Sequence, residues 1–472
     1  MAKAKKAKIA IEDVLLPIDE HPYEIPQNWC WVKHNGVLDI SGGSQPAKSY
    51  FISEPTEGYI KLYQTRDYGD NPVPVYIPEK YATKTTLEGD ILLARYGGSL
   101  GKVFRAHEGA YNVALAKVIK LYPDLIDDEY LYKYYFTQFY QDFCVKASKG
   151  RSAQAGFNRD DMNNIPFPLP PLAEQRRIVE QIEGLFSKLD EVKEKIECLL
   201  DSKKVRCNSV LNKAFTGKLT AKWRENNNIK FETWEYINFE KIIVEGPQNG
   251  MYKPKTSYGS GTKILRIDCF YDGKLEPWEK LKRLEITDEE KHTYLLSVND
   301  IVVNRVNSMP YLGKSALIRK LPEQCVFESN MMRIKINIRK ANPEYVIRYL
   351  NSSIGLQELR KNAKQAVNQA SINQQDVKMV KIALPSLEEQ NEIVKIITSI
   401  SNKDEAILNK AEAVIEEIDL MKKSILAKAF RGELGTNISK EKNSIEVLKK
   451  FGLSTLFQTN FFRLFSRYCT GV

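Results

Sequence analysis

The sequence has few of the residues that stabilise secreted proteins or bind metals. Its seven cysteines are scattered, and none belongs to a Cys-x-x-Cys pair. The four histidines (His21, His34, His107 and His292) also stand apart, with none at ligand spacing from another. These absences exclude a disulfide framework and a cysteine zinc site, and they favour a reducing, cytoplasmic compartment.

Long hydrophobic runs are also missing. No stretch of 18 apolar residues occurs, and the basic N-terminus is followed only by the short apolar segment 9–11. We therefore expect neither a membrane span nor a signal peptide.

The remaining composition is that of a globular protein with more than one domain. The chain has 472 residues, of which 43% are hydrophobic and 28% charged, and this length exceeds what one hydrophobic core usually holds. The formal net charge of +10 is a weak indication of a polyanionic partner such as nucleic acid.

The most informative feature is an internal duplication. The segment Leu-Pro-Pro-Leu-Ala-Glu-Gln at 169–175 returns as Leu-Pro-Ser-Leu-Glu-Glu-Gln at 384–390. The same offset of 215 residues continues without a gap to the matching segments 213–219 and 428–434. Between these segments the globular parts differ widely, which suggests one architecture with two different binding specificities.

The duplication predicts an alternation of domains and long helices. In chain order we expect a basic N-terminal segment (1–25), a first recognition domain (26–168), a central spacer helix region (169–224), a second recognition domain (232–385), a distal spacer helix (386–432) and a C-terminal tail (433–472). Short strand-like stretches and the helical stretches 128–143 and 343–360 make the predicted fold class α+β.

Both spacer segments carry apolar residues in alternating steps of four and three, which predicts an a/d seam of an antiparallel coiled coil. The seam residues of the first segment are Ile178, Ile182, Leu185, Leu189, Val192, Ile196 and Leu199. Those of the second are Ile393, Ile397, Ile400, Ile407, Val414, Ile418, Met421 and Ile425. The alternative is that each helix packs only on its own domain.

The seam is interrupted by Asp404 in one segment and by Lys203 and Arg206 in the other. In an antiparallel pair, Asp404 could lie opposite the Lys203–Arg206 end and fix the register. The 33 residues of 178–210 would span about 50 Å as a helix, about one and a half turns of B-DNA. We expect a dumbbell in which a rigid spacer holds two DNA-binding heads.

Loop residues that can contact phosphates or base edges are frequent in both domains. The candidates in the first domain are Lys48, Tyr50, Arg66, Arg95, Tyr96, Ser99, Lys102, Lys149, Arg151 and Gln154. Those in the second are Lys253, Lys255, Tyr258, Arg266, Arg305, Asn307, Lys314, Gln365, Asn368 and Gln369. For any single residue, a solvated surface role is the competing explanation.

No catalytic motif is complete. Asn-Ile-Pro-Phe at 164–167 is similar to a methyltransferase loop but lacks its first proline, and we interpret it as a linker. Gly-Gly-Ser-Leu-Gly-Lys-Val at 97–103 has the wrong spacing for a phosphate-binding loop and predicts a turn near DNA. We therefore expect no catalytic centre and no bound metal in this chain.

The helix-opening segment 169–178, the closing segment 213–219 and the entry segment 21–29 resemble the specificity subunit of type I restriction-modification systems. The resemblance implies two target recognition domains, each binding half of a split sequence in double-stranded DNA through the major groove. It also implies no activity of the chain itself, assembly with two methylation subunits and, where the host supplies them, two restriction/translocase subunits. S-adenosylmethionine, ATP and Mg would be cofactors of those partners.

Two alternatives stay open, a self-contained methyltransferase-nuclease and a coiled-coil scaffold that binds nucleic acid without sequence preference. The tail also stays open: its aromatic end from 451 to 472 is either an extra helix that packs or a poorly ordered end.

Overall fold

The computed structural model describes residues 10–149, 156–163, 165–271, 273–366 and 369–451. The chain forms two compact units, of which the first comprises 1–194 with 414–472 and the second 195–413. Each unit thus contains one globular domain and part of both spacer segments. The candidates Arg151, Gln154 and Asn368 and the tail from 452 onwards lie outside the described residues.

Each domain is built on a four-stranded antiparallel sheet with the same strand order. In the first domain the order is Leu38–Gly42, Leu115–Lys120, Ile91–Ala94 and Val103–Arg105. In the second it is Ile243–Asn249, Met331–Ile336, Ile301–Asn304 and Ser315–Leu317. The third strand of each sheet begins with three β-branched or leucine residues and is buried along its whole length. The duplicated α+β architecture predicted from the sequence is confirmed.

A second sheet in each domain contains a parallel pair of strands. The pair is Tyr59–Tyr63 with Gly109–Tyr111 in the first domain, and Tyr258–Leu265 with Cys325–Phe327 in the second. The other strands of these sheets are Tyr76–Pro78, Thr85–Thr86 and Arg283–Leu284. The second domain also has the short strands Phe270–Tyr271, Lys274–Leu275, Val306–Asn307, Lys364–Gln365 and Ala370–Ser371.

Both domains close by pairing their first strand with their last. Cys30–Lys33 pairs antiparallel with Pro166–Leu169, and Glu235–Asn238 pairs in the same way with Lys381–Leu384. The interpretation of 164–167 as a linker was therefore wrong for residues 166–167, which are strand residues, while Asn164 lies outside the described residues. The strand Pro166–Leu169 contains two prolines, which have no backbone N–H to donate. They are tolerated because each strand of a two-stranded ribbon has one edge that forms no hydrogen bonds with another strand.

The helical stretch after the sheet is divided in both copies. The sequence predicts continuous helices over 128–143 and 343–360, but the structure has Asp128–Tyr134 and Gln138–Lys149, then Pro343–Leu350 and Ser353–Arg360. In the second copy, the Ser352 hydroxyl accepts from the backbone N–H of Gly355 at 3.1 Å and thus caps a new helix. The shorter helices are Ile11–Val14, His34–Val37, Ala221–Asn226, Asp288–Tyr294, Gln374–Lys378 and Ser444–Lys450.

The spacer segments form long helices. The second spacer helix is continuous over Leu387–Phe430, and its 44 residues correspond to about 66 Å. The first, expected as one helix, consists of Leu172–Asp201 and Lys203–Phe215. At the break, the carbonyl of Leu199 accepts from the Ser202 hydroxyl and from the guanidinium of Arg206. These side-chain hydrogen bonds replace the regular backbone hydrogen bonding of the helix.

The two spacer segments pair antiparallel inside each unit. In the first unit, Asp190 pairs with Lys422, and Nζ of Lys193 lies 3.6 Å from Oδ1 of Asp419. In the second unit, the Arg206 guanidinium donates to Oδ1 of Asp404 at 3.0 and 3.2 Å. The predicted contact of Asp404 is confirmed for Arg206.

The residues of the predicted seam are buried to different degrees, and near Asp404 the buried row is shifted by one residue. Ile178, Ile182, Ile393, Ile397 and Ile418 are at most 4% exposed. Leu185, Leu189, Ile196 and Ile425 are half-buried, whereas Val192, Leu199, Ile400, Ile407, Val414 and Met421 are exposed.

The shift has a simple geometric cause. The buried row runs from Asp404 to Leu408, a step of four residues, and then to Ala411, a step of three. The predicted seam instead ran from Asp404 to Ile407, a step of three residues, and then took a step of four. Because Ile407 and Leu408 are both apolar, spacing alone fits either row, and the tertiary contacts decide.

The closing Lys-Ala-Phe segments complete the domain cores. Phe430, at the end of the second spacer helix, packs on Tyr130 and Tyr134 of the first domain at ring distances of 4.8 and 5.9 Å. Phe215, at the end of the first spacer, packs in the same way on Tyr345 and Tyr349. Each unit therefore joins the start of one spacer to the end of the other.

Both segments outside the duplication also pack onto the first domain where they are described. At the N-terminus, Ile11 and Val14 are at most 2% exposed. In the tail, Ser444–Lys450 is a helix whose Leu448 is fully buried in the same core. The helix Ser444–Lys450 precedes the aromatic end 451–472, for which both alternatives stay open because residues 452–472 lie outside the described residues.

Candidate nucleic-acid interface and its support

A buried glutamate joins each domain to its spacer helix. The indole N–H of Trp29 donates to Oε2 of Glu174 at 2.8 Å, and that of Trp234 donates to Oε2 of Glu389 at 2.9 Å. Both glutamates are at most 1% exposed. The glutamate of the repeated segment, Ala-Glu-Gln at 173–175 and Glu-Glu-Gln at 388–390, therefore holds the start of a domain against the first turn of its spacer helix.

The glutamine that follows this glutamate links three backbone segments. The side-chain N–H groups of Gln175 donate to the carbonyls of Leu125 and Pro170, and its oxygen accepts from the N–H of Asp127. Gln390 makes the equivalent three contacts in the second copy, with Lys340, Pro385 and Asn342. The sequence analysis found this motif but did not assign its contacts, although its identity in both copies was the available signal.

Another partner of the glutamate differs between the copies. Glu389 forms an ion pair with the buried Arg224, whose Nη1 lies 2.5 Å from Oε1. Glu174 instead accepts from the Asn437 amide at 2.8 Å. Burial raises the pKa of the Glu174 carboxyl above its ordinary value, against the smaller lowering effect of the hydrogen bonds from Trp29 and Asn437.

The candidate DNA-contacting residues fall into distinct groups. Lys48, Tyr50 and Arg66 are exposed beside the second sheet of the first domain, where Tyr50 packs on Tyr81. Arg95, Tyr96, Ser99 and Lys102 lie together at the turn after the strand Ile91–Ala94. Lys149 is exposed at the end of the helix Gln138–Lys149.

The second domain divides its candidates in the same manner. Arg305, Asn307 and Lys314 lie at the turn after Ile301–Asn304. Asn307 pairs with Ala370, which pairs with Gln365, so the structure brings Asn307, Gln365 and the adjacent exposed Gln369 to one small sheet. Lys364 belongs to this sheet and was missed, although its equivalent at the offset of 215, Lys149, was among the candidates.

Two other candidates of the second domain form ion pairs with carboxylates. Nζ of Lys253 lies 2.7 Å from Glu290, and Nε of Arg266 lies 3.4 Å from Glu328. Lys255 is exposed, and Tyr258 is half-buried at the start of its strand. An ion-paired side chain must give up its partner before it can bind phosphate, so Lys253 and Arg266 are less suited to this role than Arg305.

The described residues contain no group of three or more His, Cys, Asp or Glu side chains that could hold a metal ion. His34, for example, is fully buried, accepts or donates one hydrogen bond with the Tyr135 hydroxyl at 2.9 Å, and burial lowers its pKa to about 4. Among the described helices, none is both long and apolar enough to cross a membrane.

Comparison with known proteins places this architecture in a family. The family model described as "Type I restriction modification DNA specificity domain" matches the chain twice, over residues 26–200 and 212–417. The two matches cover most of the chain and correspond to the two copies of the duplication. The chain therefore belongs to the type I restriction-modification DNA specificity family.

Individual members resemble the chain over most of its length. It is 26% identical to the type I restriction enzyme EcoKI specificity subunit of Escherichia coli strain K12, with 87% of this chain and 90% of that protein covered. It is 24% identical to the MjaVIII specificity subunit of Methanocaldococcus jannaschii, with 88% and 95% covered.

Two solved structures share the fold. The HsdS subunit from Thermoanaerobacter tengcongensis superposes with a TM-score of 0.55 at 20% identity, covering 88% of this chain and all of that chain. A chain solved in a study of complex assembly and conformational transition of the type I R-M system gives a TM-score of 0.62 at 20% identity, with the same coverage.

Proposed function

We propose that the chain is the specificity subunit of a type I restriction-modification complex and recognises a split sequence in double-stranded DNA, one half-site per domain. The observation that supports this function most directly is the duplication itself. The central sheets, the Trp–Glu contacts and the helix-closing phenylalanines are the same in both copies, whereas the surface turns differ in length and composition. A conserved frame with variable turns is the arrangement expected of two recognition heads for different sequences.

The experiment that tests this function is methylation mapping. The chain is expressed together with its methylation subunit, and methylated adenines are located across a genome. We expect a two-part motif with an unspecified spacer. Exchange of residues 26–168 for those of another family member should change one half of the motif only, with the other half as the internal control.

Two results would contradict the proposal. Equal, salt-sensitive binding of the assembled complex to random duplexes would favour the scaffold that binds nucleic acid without sequence preference. Methylation of DNA by the purified chain alone would favour the self-contained enzyme. Under this proposal the chain is a non-catalytic subunit, and S-adenosylmethionine, ATP and Mg would be bound by its partner subunits in the cytoplasm.

The spacer helices are the proposed docking surface for two methylation subunits and, where present, two restriction subunits. In the second unit, Ile407 is 51% exposed beside the buried Leu408. Ile407→Glu should therefore reduce copurification of the methylation subunit without lowering the melting temperature of the chain. Asn409→Glu, at an exposed position of the same helix, is the matched control because it adds the same single negative charge. Unchanged copurification of the Ile407 variant would exclude this position from the interface.

A further inference from the structure

The turn that follows the third strand of each central sheet has a shared frame and a variable interior. In the first domain it runs from Arg95 to Lys102, and in the second from Arg305 to Lys314. Arginine opens both turns and Gly-Lys closes them, but five residues separate these ends in one copy and seven in the other. The interior segments are 96–100, Tyr-Gly-Gly-Ser-Leu, and 306–312, Val-Asn-Ser-Met-Pro-Tyr-Leu.

The same backbone hydrogen bonds close both turns. The N–H of Gly101 donates to the carbonyl of Ala94 at 3.2 Å, and the N–H of Gly313 donates to the carbonyl of Asn304 at 2.9 Å. Both glycines have positive φ, +86° and +74°, a conformation that other residues rarely adopt. The frame of the turn is therefore fixed independently of the residues that it carries.

A side chain from the second helix of the divided helical stretch contacts each turn. In the first domain, the amide of Gln141 donates to the Gly101 carbonyl at 3.0 Å. In the second, Arg360 donates to the carbonyls of Leu312 and Pro310 at 2.9 and 3.2 Å. These contacts hold the turns in place and lower the entropy that binding would otherwise cost.

The opening arginines are structurally equivalent to each other. Arg95 donates a guanidinium N–H to the carbonyl of Val113 at 3.0 Å, and its backbone N–H to the next carbonyl, that of Ala114. Arg305 makes the same two contacts with Ser329 and Asn330. One hydrogen bond orients each guanidinium, and most of its five N–H donors are left without an acceptor among the described residues.

Charge pairing separates these two arginines from others in the domains. Neither Arg95 nor Arg305 forms an ion pair with a described carboxylate. By contrast, Arg105 lies 2.5 Å from Glu129, and Arg283 lies 2.8 Å from Glu323. An oriented, half-buried guanidinium without a carboxylate partner is suited to an external anion such as a phosphate group.

We propose that each turn divides its contacts with DNA: Arg95 and Arg305 bind the phosphate backbone at equivalent places of the two half-sites, and segments 96–100 and 306–312 contact the base edges. This inference rests on the proposed function. A residue that is the same in both copies cannot distinguish two different half-sites, so its contact is with the part of DNA that they share. The interior segments differ and carry groups that can bind base edges, such as Asn307.

The test uses the complete methylation complex, two substitutions of each arginine and one exchange of an interior segment. Arg95→Gln and Arg305→Gln should each weaken binding roughly tenfold, to the cognate duplex and to a duplex with altered half-sites alike. The slope of log K against log salt concentration should fall by about 0.9 per arginine removed. The methylated motif should stay the same. Arg95→Lys and Arg305→Lys should restore the slope, and Arg339→Gln, an exposed arginine of the second domain, is the control.

The third variant replaces 306–312 with the interior segment of another family member. It should change only the half-site of the second domain and leave the salt slope as it is. The proposal is overturned if Arg→Gln alters the methylated motif at an unchanged slope, because the arginine then contacts a base, or if binding and slope both stay unchanged. Failure of the proposed function is distinguishable, since the unmodified complex would then show no preference for its cognate duplex.

Discussion

The buried glutamates Glu174 and Glu389 occupy the same place in the two copies, but different groups compensate for their burial. Each accepts from a tryptophan indole, yet Glu389 also has the guanidinium of Arg224, while Glu174 has the neutral amide of Asn437. The partners come from different places as well, since Arg224 belongs to the helix Ala221–Asn226 and Asn437 to the tail. The duplication has preserved the carboxylate and its geometry, whereas the group that compensates its burial has diverged.

Polar contacts around Glu174 hold the tail on the first domain. Arg177, next to the Glu-Gln segment, makes a bidentate ion pair with Glu441 at 2.8 and 2.9 Å. The carbonyl of Asn28 accepts from the backbone N–H of Ser444 at 3.0 Å. Residues 436–444 thus supply in the first unit the polar contacts that residues 220–224 supply in the second.

The largest effect is expected from breaking the ion pair between Arg224 and Glu389. Arg224→Met leaves Glu389 buried without a counterion, which should lower the free energy of unfolding of the second unit by about 3–5 kcal/mol. Asn437→Leu removes one hydrogen bond to Glu174 and should cost the first unit about 1–3 kcal/mol. Hydrogen exchange of backbone amides, followed separately in the two units, measures both. Equal losses in the two variants would contradict the distinction drawn between the glutamates.

The glycines that end the spacer helices allow a second comparison. Gly217 and Gly432 both have positive φ, +73° and +76°, so alanine at either position costs about 1 kcal/mol from backbone strain alone. An added Cβ would overlap the Phe231 ring at Gly217 and the Pro26 ring at Gly432. Because the proline ring is rigid while the phenylalanine can rotate, Gly432→Ala should lower the melting temperature more than Gly217→Ala. The reverse order would show that Phe231 cannot move aside.

The raised pKa of Glu174 predicts a pH dependence in the first unit. A carboxyl whose folded pKa lies above its unfolded value binds more protons in the folded state. Its contribution to stability is therefore complete below the unfolded pKa and is lost as pH rises through the folded pKa. Glu174→Gln should remove this loss, so the variant should gain stability relative to the unmodified chain as pH rises from about 4. Denaturant unfolding at several pH values measures the difference, and parallel curves would exclude Glu174 as its source.

Sequence reasoning captured the features that depend on repetition and period. The offset of 215 residues located both Glu-Gln segments, and the four-and-three spacing located both spacer helices. It assigned Ile407 instead of Leu408 to the buried row, because both fit a helical period and only tertiary packing separates them. Nor could it find that Arg224 lies against Glu389, since these residues are 165 positions apart and no periodic pattern links them.

The smallest effect is expected at the ion pair that joins the two spacer segments in the second unit. Arg206 and Asp404 have side chains 34% and 19% exposed, so solvent screens the pair and its loss should cost about 0.5–1 kcal/mol. Arg206→Asp and Asp404→Arg should each lower the melting temperature slightly, and the double variant should restore most of the loss. The same exchange between Lys203 and Asp404 should restore nothing, because the Asp404 carboxylate accepts from Arg206. Double-mutant cycles measure both couplings. Rescue through Lys203 instead of Arg206 would mean that the spacer helices pair in solution in a register shifted by about one helical turn.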